Sequence, residues 1–140
     1  MKISTRGRYG VRLLIDLAEH QGELSTLAEA AARQGISLRY LEQLAPFLKR
    51  AGIIRSVKGA SGGYCLARPP SEIVMGDALS VLEGDMLTTE PPVTNSENAL
   101  QRCLRVMVYN KLNAIIADVI DNKTLAQVTA MHGEEPMYFI

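Results

Sequence analysis

The chain has 140 residues and no net formal charge, and 47% of its residues are hydrophobic while only 5% are aromatic. This length fits one domain, or one domain with an extension, and the mostly aliphatic composition is sufficient for a hydrophobic core. No apolar run approaches the roughly 18 residues of a transmembrane helix, no apolar stretch follows the basic start, and only two cysteines occur, so we expect a reducing, cytoplasmic location.

The charges are divided unevenly along the chain. Residues 1–68 contain eleven Lys/Arg and five Asp/Glu, a net charge of +6, whereas residues 69–140 contain four Lys/Arg and ten Asp/Glu, a net charge of −6. A basic N-terminal half is the electrostatic feature that binding to a phosphate backbone requires. The alternative is a chance difference between two solvated surfaces.

Two helices are predicted at the N-terminus. Ser4 or Thr5 caps the first, which runs to about His20 with an apolar face at helical spacing. The second begins near Thr26, because Thr26 and Glu29 have the spacing of a capping box, in which each side chain accepts a backbone N–H of the first turn.

A third helix follows after a tight turn. Gly35 ends the second helix, Ser37 caps the third only two residues later, and Gly52 ends it. A short helix, a glycine turn and another helix are typical of a helix-turn-helix. Pro46 lies inside the third helix, so we expect either a bend there or a new helical segment beginning at Pro46.

The next segment predicts a β-hairpin. Residues 53–57 are rich in β-branched side chains, residues 58–63 are glycine-rich, and residues 64–67 resume the apolar pattern. A hairpin directly after a helix-turn-helix is a wing. The predicted fold class is therefore mainly α with a small β-hairpin wing, and a small helix over 76–83 completes a DNA-binding domain over residues 1–83.

Beyond a loop over 84–96, apolar residues recur at steps of three and four and predict one long helix over 97–122. The rest of so small a chain does not easily cover such a helix, so we expect it to be a dimerisation helix that pairs with a second copy; packing on its own domain is the alternative. Residues 123–140 are predicted to form a short helix and a C-terminal tail. The residues expected at the dimer contact are Leu104, Met107, Val108, Ile115 and Val119.

The winged helix-turn-helix predicts a set of DNA contacts. The first residues of the third helix reach base edges in such folds, where Arg binds guanine and Glu accepts from cytosine. A helix-turn-helix used only for protein contact, with Arg39 and Glu42 as a surface pair, is the alternative. The expected contacts are Ser37, Arg39, Tyr40 and Glu42 for bases or nearby phosphate, Lys58, Gly62 and Gly63 in the wing, and Lys2, Arg6 and Arg8 for phosphates.

No catalytic pattern is visible in the sequence. It contains no evident nucleophile–base pair, carboxylate dyad, phosphate-binding loop or metal cluster. We therefore expect that the protein is not an enzyme and that it has no catalytic residues.

Several motifs together resemble the BadM-type winged-helix transcriptional regulators, over about residues 1–83. The resemblance implies a dimer whose long helix pairs across a two-fold axis, and a roughly palindromic DNA operator. It also implies DNA contacts at Ser37, Arg39, Tyr40, Glu42 and Lys58. The shared motifs are Met1–Gly10, Ile36-Ser37, Tyr40–Leu44, Ala51–Ile54, Lys58-Gly59 and Gly62–Tyr64.

The family contains members with an iron–sulfur cluster, and this chain departs from their pattern. Those members supply three cysteines from the loop before the long helix, whereas residues 84–102 contain none. Cys103 stands alone there, and Val106 occupies the position of a histidine in the iron regulator of the family. One thiolate cannot hold a [2Fe–2S] cluster that needs four ligands. We expect no cofactor and no metal site.

The chain is more similar to the cluster-free branch, which includes a repressor of cysteine metabolism, and this similarity reaches the C-terminus. It implies a repressor that acts with cysteine synthase, which holds the C-terminal isoleucine of another partner in its active site. The residues expected to bind the enzyme are Tyr138, Phe139 and Ile140; a tail packed on its own dimer or left disordered is the alternative. Two other hypotheses are a redox-sensing regulator that uses Cys65 or Cys103 and a regulatory subunit that binds an enzyme without DNA.

Overall fold

A computed structural model describes residues 2–84 and 95–134. The fold is mainly α-helical with one two-stranded antiparallel hairpin, which confirms the predicted fold class. The elements are α1 (Thr5–Glu19), α2 (Leu27–Gln34), α3 (Leu38–Arg50), β1 (Ile54–Val57), β2 (Gly63–Leu66), a 3-10 turn (Pro70–Glu72), α4 (Met75–Glu83), α5 (Ala99–Leu104), a π-helical segment (Arg105–Tyr109), α6 (Asn110–Asp121) and α7 (Leu125–Glu134). Most of the predicted 84–96 loop lies outside the described residues.

The predicted helix caps are present. The Ser4 hydroxyl accepts the Gly7 N–H at 3.2 Å at the start of α1. At the start of α2, the Thr26 hydroxyl accepts from the Glu29 N–H at 3.1 Å and the Glu29 carboxylate accepts from the Thr26 N–H at 2.8 Å. These bonds satisfy backbone donors that have no partner within the helix, and they fix where each helix begins.

Helix α3 passes through Pro46 without interruption. It runs from Leu38 to Arg50 as one element, so the expectation of a new helical segment beginning at Pro46 is wrong. Proline has no N–H to donate to the carbonyl of Glu42. Pro46 is exposed, so water can hydrogen-bond to that carbonyl and the helix does not need to end there.

The hairpin is attached to the segment that precedes α2. Ser25 and Tyr64 exchange backbone hydrogen bonds, with N–O distances of 3.0 Å from Ser25 and 2.7 Å from Tyr64. A Cβ atom at Gly63 would lie 2.8 Å from the Ser25 backbone, so only glycine allows the strand to approach this closely. The β2 strand is therefore held to the helix-turn-helix by main-chain bonds.

The core forms where α1, α2 and α3 meet the hairpin and α4, and it is largely aliphatic. Helix α7 joins it through the fully buried Leu125, because backbone bonds from Met75 to Lys123 (2.8 Å) and from Leu125 to Ile73 (2.9 Å) tie the two segments together. The largest fully buried apolar side chains are Leu13, Leu14, Leu41, Leu44, Leu48, Ile53, Ile54, Ile73 and Leu125.

The predicted long helix is present with two differences. It begins after Asn98, which forms a capping box with Gln101, rather than at Glu97, and it contains the π-helical segment Arg105–Tyr109 where a regular α-helix was expected. Glu97 instead accepts two hydrogen bonds from Arg105, at 2.8 and 3.0 Å. None of the helices in the described ranges is both long and apolar enough to cross a membrane.

Candidate nucleic-acid interface

The N-terminal end of α3 presents polar side chains to solvent. Ser37 caps the helix by accepting the Tyr40 N–H at 3.4 Å, and Arg39 and Glu42 are both exposed. Within residues 2–84 and 95–134, no ion pair joins Arg39 to Glu42 or to another side chain. Arg39 and Glu42 therefore do not form the surface ion pair that the alternative interpretation supposed. Both charged groups are accessible to a ligand.

Tyr40 is held against α1 by another tyrosine. Its ring meets the ring of Tyr9 edge to face, with 5.3 Å between centroids and 79° between planes. This geometry places the positive edge of one ring against the negative face of the other. Tyr40 is half-buried as a result, so it fixes the first turn of α3 against α1. The amino-acid pattern had indicated only its exposed position on the helix.

Arg6 is engaged with α3 rather than fully solvated. Its guanidinium lies 3.7 Å from the centroid of the Phe47 ring, and that of Arg50 lies 4.9 Å from the same ring. The Nε atom of Arg6 is buried and has no hydrogen-bond partner among the described residues. Cation–π contact therefore accounts for part of the position of Arg6. Lys2 and Arg8, which were predicted with it, are exposed.

The start of α1 is anchored by a carboxylate far away in the sequence. One oxygen of Glu83 accepts the backbone N–H of Ser4 at 2.9 Å and its hydroxyl at 2.6 Å. A carboxylate at a helix N-terminus also offsets the positive end of the helix dipole. A Cβ at Gly7 would lie 1.9 Å from Glu83, so this glycine leaves room for it. Sequence analysis did not identify this contact, and it positions the basic end of α1.

The tip of the wing is a glycine turn with exposed side chains. Lys58 is exposed, and Gly59 has a φ of 116°, a backbone conformation that other residues rarely adopt. A Cβ at Gly62 would lie 2.0 Å from the carbonyl oxygen of Val57. Gly62 and Gly63 therefore both lie close to the protein's own backbone. Lys58 is the charged residue at the tip of the wing.

A buried polar network joins α1 to α2. Asp16 is 1% exposed, and its carboxylate accepts hydrogen bonds from Arg33, with Nη2–Oδ2 at 2.7 Å and Nε–Oδ1 at 3.0 Å, and from Gln34 at 3.0 Å. Arg33 also donates to the Ser25 hydroxyl at 2.9 Å. Burial raises the pKa of Asp16, but the hydrogen bonds from Arg33 and Gln34 and the charges of Arg33 and His20 hold this pKa below its ordinary value.

The second predicted surface is the apolar face of the long helix. Within the single chain, Met107, Ile115 and Val119 are 56%, 63% and 61% exposed. Leu104 and Val108 are exposed as well, so all five side chains predicted for the dimer contact are accessible. Apolar side chains that follow one another along a helix surface form the kind of patch that marks an interaction site.

The possible metal ligands lie on separate elements. Cys103 is exposed on α5, Cys65 is half-buried on β2, and the Nδ1 atom of His20 lies 2.8 Å from the Asp16 carbonyl oxygen. His132 on α7 contacts Glu19. Across the part of the chain that the structure describes, no three His, Cys, Asp or Glu side chains are grouped to hold a metal ion. The two cysteines of the chain, Cys65 and Cys103, therefore lie on separate elements.

The C-terminal residues Tyr138, Phe139 and Ile140, predicted to bind a partner enzyme, lie outside the described residues. At the start of α7, Thr124 and Gln127 form a capping box, with bonds of 2.9 and 3.1 Å.

Known proteins resemble this chain along nearly its whole length. The model of the Rrf2 family, described as iron-dependent transcriptional regulators, matches residues 3–131. The HTH-type transcriptional regulator CymR of Bacillus subtilis is 38% identical, over 99% of this chain and 97% of that protein. The structure of CymR, the global cysteine regulator of B. subtilis, has a TM-score of 0.78 at 36% identity and covers 93% of this chain and 97% of its own. The structure of T. potens IscR has a TM-score of 0.75 at 38% identity and covers 100% of this chain and 93% of its own. The resemblance to a family of winged-helix transcriptional regulators, which the sequence motifs indicated, is confirmed.

Proposed function

Because this chain belongs to the Rrf2 family of transcriptional regulators, we propose that it is a repressor that binds a roughly palindromic DNA operator as a homodimer. The relatives are transcriptional regulators and not enzymes. The observation that carries the proposal is the exposed N-terminal end of α3, where Arg39 and Glu42 are accessible and not paired with each other.

Base recognition is assigned to the first turn of α3. An arginine binds the O6 and N7 atoms of guanine with two hydrogen bonds, and a glutamate accepts from the amino group of cytosine. Arg39 and Glu42 present these groups, and the Ser37 hydroxyl serves either kind of base. Tyr40, which Tyr9 holds in place, contacts a neighbouring phosphate. This assignment is supported by the exposure of the charged groups and by the rigid attachment of α3 to α1.

Backbone contacts come from the wing and the start of α1. Lys58 at the exposed tip enters the minor groove, and Lys2 and Arg8 contact phosphates, since all three are exposed. Arg6 keeps its stack on Phe47 while the edge of its guanidinium faces a phosphate oxygen. Each phosphate contact releases counterions, so the affinity for DNA falls with increasing salt concentration.

Selection from a random pool tests this function. The full chain is incubated with a pool of random duplexes, and the bound fraction is amplified and sequenced over several rounds. We expect enrichment of one sequence whose two halves are related by approximate two-fold symmetry. The R39Q variant should fail to enrich that sequence, while retaining weak binding to all duplexes. A pool that stays random with the unaltered chain would contradict the proposal.

Homodimerisation is assigned to the long helix. Its apolar face includes Leu104, Met107, Val108, Ile115 and Val119, all exposed in the single chain. Pairing with the same helix of a second copy removes these side chains from water, and each Å² of apolar surface buried contributes about 25 cal/mol. A two-fold dimer presents two copies of α3, which matches the roughly palindromic operator.

The regulator works without an iron–sulfur cluster. This proposal is supported by the donor set: two cysteines on separate elements, no cysteine among residues 84–102, and Val106 where the iron regulator of the family has a histidine. Iron analysis after anaerobic reconstitution with iron and sulfide tests it. We expect no stoichiometric iron and no visible absorption band, and a stable coloured species with bound iron would contradict it.

The regulated pathway is assigned to cysteine metabolism, with cysteine synthase as partner. The assignment is supported by full-length similarity to a global cysteine regulator and by a C-terminus that ends in Tyr138, Phe139 and Ile140. An apolar segment of this kind is a feature that an enzyme pocket can capture. Calorimetric titration into cysteine synthase should show binding that requires Ile140 and weakens with O-acetylserine. Equal binding by a chain that lacks Ile140 would contradict the role of the tail.

A further inference from the structure

A cavity that the proposed DNA contacts do not use lies between the end of α1, with the turn after it, and the wing. It has a volume of about 490 Å³ and is bounded by the turn after α1 on one side and by the hairpin and the segment after it on the other. Small-molecule sites in proteins usually have volumes of ~300–1,000 Å³. The cavity is therefore large enough for a small organic molecule.

The charged groups on the cavity wall are mainly positive. Arg55 and Arg68 both line it, and Glu23 is the acidic side chain on the wall among the described residues. Arg55 has no ion pair within the described ranges, whereas Arg68 lies 3.9 Å from Asp77 and donates to the Glu72 carbonyl at 3.5 Å. Asp77 offsets part of the charge of Arg68, so Arg55, which has no such partner among the described residues, is the group that attracts an anion.

The wall also provides apolar surface and one thiol. Leu17, Leu24 and Val57 line the cavity. Cys65 is paired directly with Arg55 across the antiparallel hairpin, and residues in such a pair lie on the same face with Cβ atoms roughly 5 Å apart. The cavity thus combines an apolar wall with cationic groups near a free thiol.

We propose that this cavity binds a small organic carboxylate with a compact apolar body. The planar guanidinium of Arg55 matches a carboxylate with two parallel hydrogen bonds, and Arg68 adds a second positive charge. The leucine and valine side chains contact the apolar body. The site is distinct from the α3 surface, the wing tip and the apolar face of the long helix.

Occupancy of this cavity affects the position of the wing. The bound molecule touches both the turn before α2 and the hairpin, two segments that are otherwise joined by the backbone bonds between Ser25 and Tyr64. A ligand that prefers one arrangement of these segments shifts the population toward it. The effect on DNA binding rests on the proposed function, but the binding of a carboxylate in the cavity does not.

The thiol of Cys65 allows the site to be tested without DNA. In the C103S variant, Cys65 is the remaining cysteine, and its rate of reaction is measured with dianionic 5,5′-dithiobis(2-nitrobenzoate) and with neutral 2,2′-dithiodipyridine. The Cys65 thiolate attacks one sulfur of the reagent, the reagent's disulfide breaks, a mixed disulfide forms, and one aryl thiolate leaves. The thiol proton passes to solvent.

Because both reagents react with the same thiolate, the ratio of their rates isolates the attraction of an anion. We expect R55Q and R68Q to lower the ratio of the anionic reagent's rate to the neutral reagent's rate roughly 3- to 10-fold at low salt. The R55K variant, which keeps the charge, should retain most of the rate with the anionic reagent. The K123Q variant is the control, because it loses an exposed positive charge outside the cavity. Benzoate should slow labelling by the neutral reagent in a saturable way. In the C65S variant, which reports on Cys103, R55Q should have no effect.

Two results would overturn the proposal. One is an unchanged ratio of the two reagents' rates in R55Q and R68Q, provided that both variants keep the circular dichroism spectrum of the parent. The other is that benzoate does not slow the labelling of Cys65 by the neutral reagent, even at concentrations that fill ordinary carboxylate-binding sites. Because neither measurement involves an operator, failure of this site and failure of DNA binding are distinguishable.

Discussion

The guanidinium of Arg33 in α2 binds both carboxylate oxygens of Asp16 in α1, with Nη2–Oδ2 at 2.7 Å and Nε–Oδ1 at 3.0 Å. The Asp16 side chain is almost completely buried, and that of Arg33 is about one-third exposed, at 32%. A bidentate pair fixes both distance and orientation. Since Arg33 also donates to Ser25, whose backbone binds Tyr64 of the wing, one side chain determines how α1, α2 and the hairpin meet.

Loss of this pair should reduce stability. Replacement of Arg33 by Met leaves a buried carboxylate without its cation, and we expect the free energy of unfolding to fall by about 1–3 kcal/mol. Urea denaturation followed by circular dichroism measures it. R102M is the matched control, because Arg102 pairs with Glu97 at 3.7 Å but is largely exposed, and exposed pairs contribute only about 0–1 kcal/mol. Equal losses of unfolding free energy in the two variants would show that the buried pair contributes no more to stability than the exposed pair.

The same pair predicts how stability depends on pH. The pKa of Asp16 is lower in the folded chain than its ordinary value, because the bonds from Arg33 and Gln34 outweigh the effect of burial. The unfolded chain, with a pKa of ~3.9, therefore takes up a proton first as the pH falls. The contribution of Asp16 is fully present above this value and is lost as the pH falls through the folded pKa.

We therefore expect the difference in unfolding free energy between the parent and D16N to be constant from neutral pH to about pH 5 and to shrink below about pH 4. Urea titrations at a series of pH values measure this difference. A difference that grows as the pH falls would mean that the folded pKa is raised, and it would contradict the geometry described for Asp16.

Arg39 should determine base specificity. The R39A variant loses two hydrogen bonds to guanine, so its affinity for the selected operator should fall by ~1–3 kcal/mol, or about 5- to 150-fold. Fluorescence anisotropy with labelled operator and with a scrambled duplex measures both affinities. K49A is the control, since Lys49 lies in the last turn of α3 and should affect both duplexes alike. Unchanged operator affinity in R39A would remove Arg39 from the base contacts.

The apolar face of the long helix should control assembly. A glutamate at position 115 places a charge where the proposed dimer excludes water, so I115E should shift the protein to monomers. Sedimentation velocity measures the change. M131E is the matched control, because Met131 is equally exposed and apolar but lies on α7, outside the proposed contact. If both variants sediment like the parent, another surface holds the copies together.

Local features of the sequence predicted most elements, because helix caps and hairpin turns depend on residues close together in the chain. The pair Thr26 and Glu29 shows this, since three residues separate the two members and their bonds are those expected. The contacts that sequence analysis missed join distant positions. Ser4 and Glu83 are 79 residues apart, and Asp16 lies among apolar positions of α1, where nothing local identifies its partner. The stack of Arg6 on Phe47 likewise depends on how α1 crosses α3.

The π-helical segment Arg105–Tyr109 sets the alignment of the long helix's two apolar stretches. A π turn holds one residue more than an α turn, and each residue of an α-helix advances about 100° around the axis. The extra residue turns α6 back by about that angle, which brings Leu112 to the line of Leu100 and Leu104. In a regular α-helix of the same length, Leu112 would instead lie about 100° away from that line.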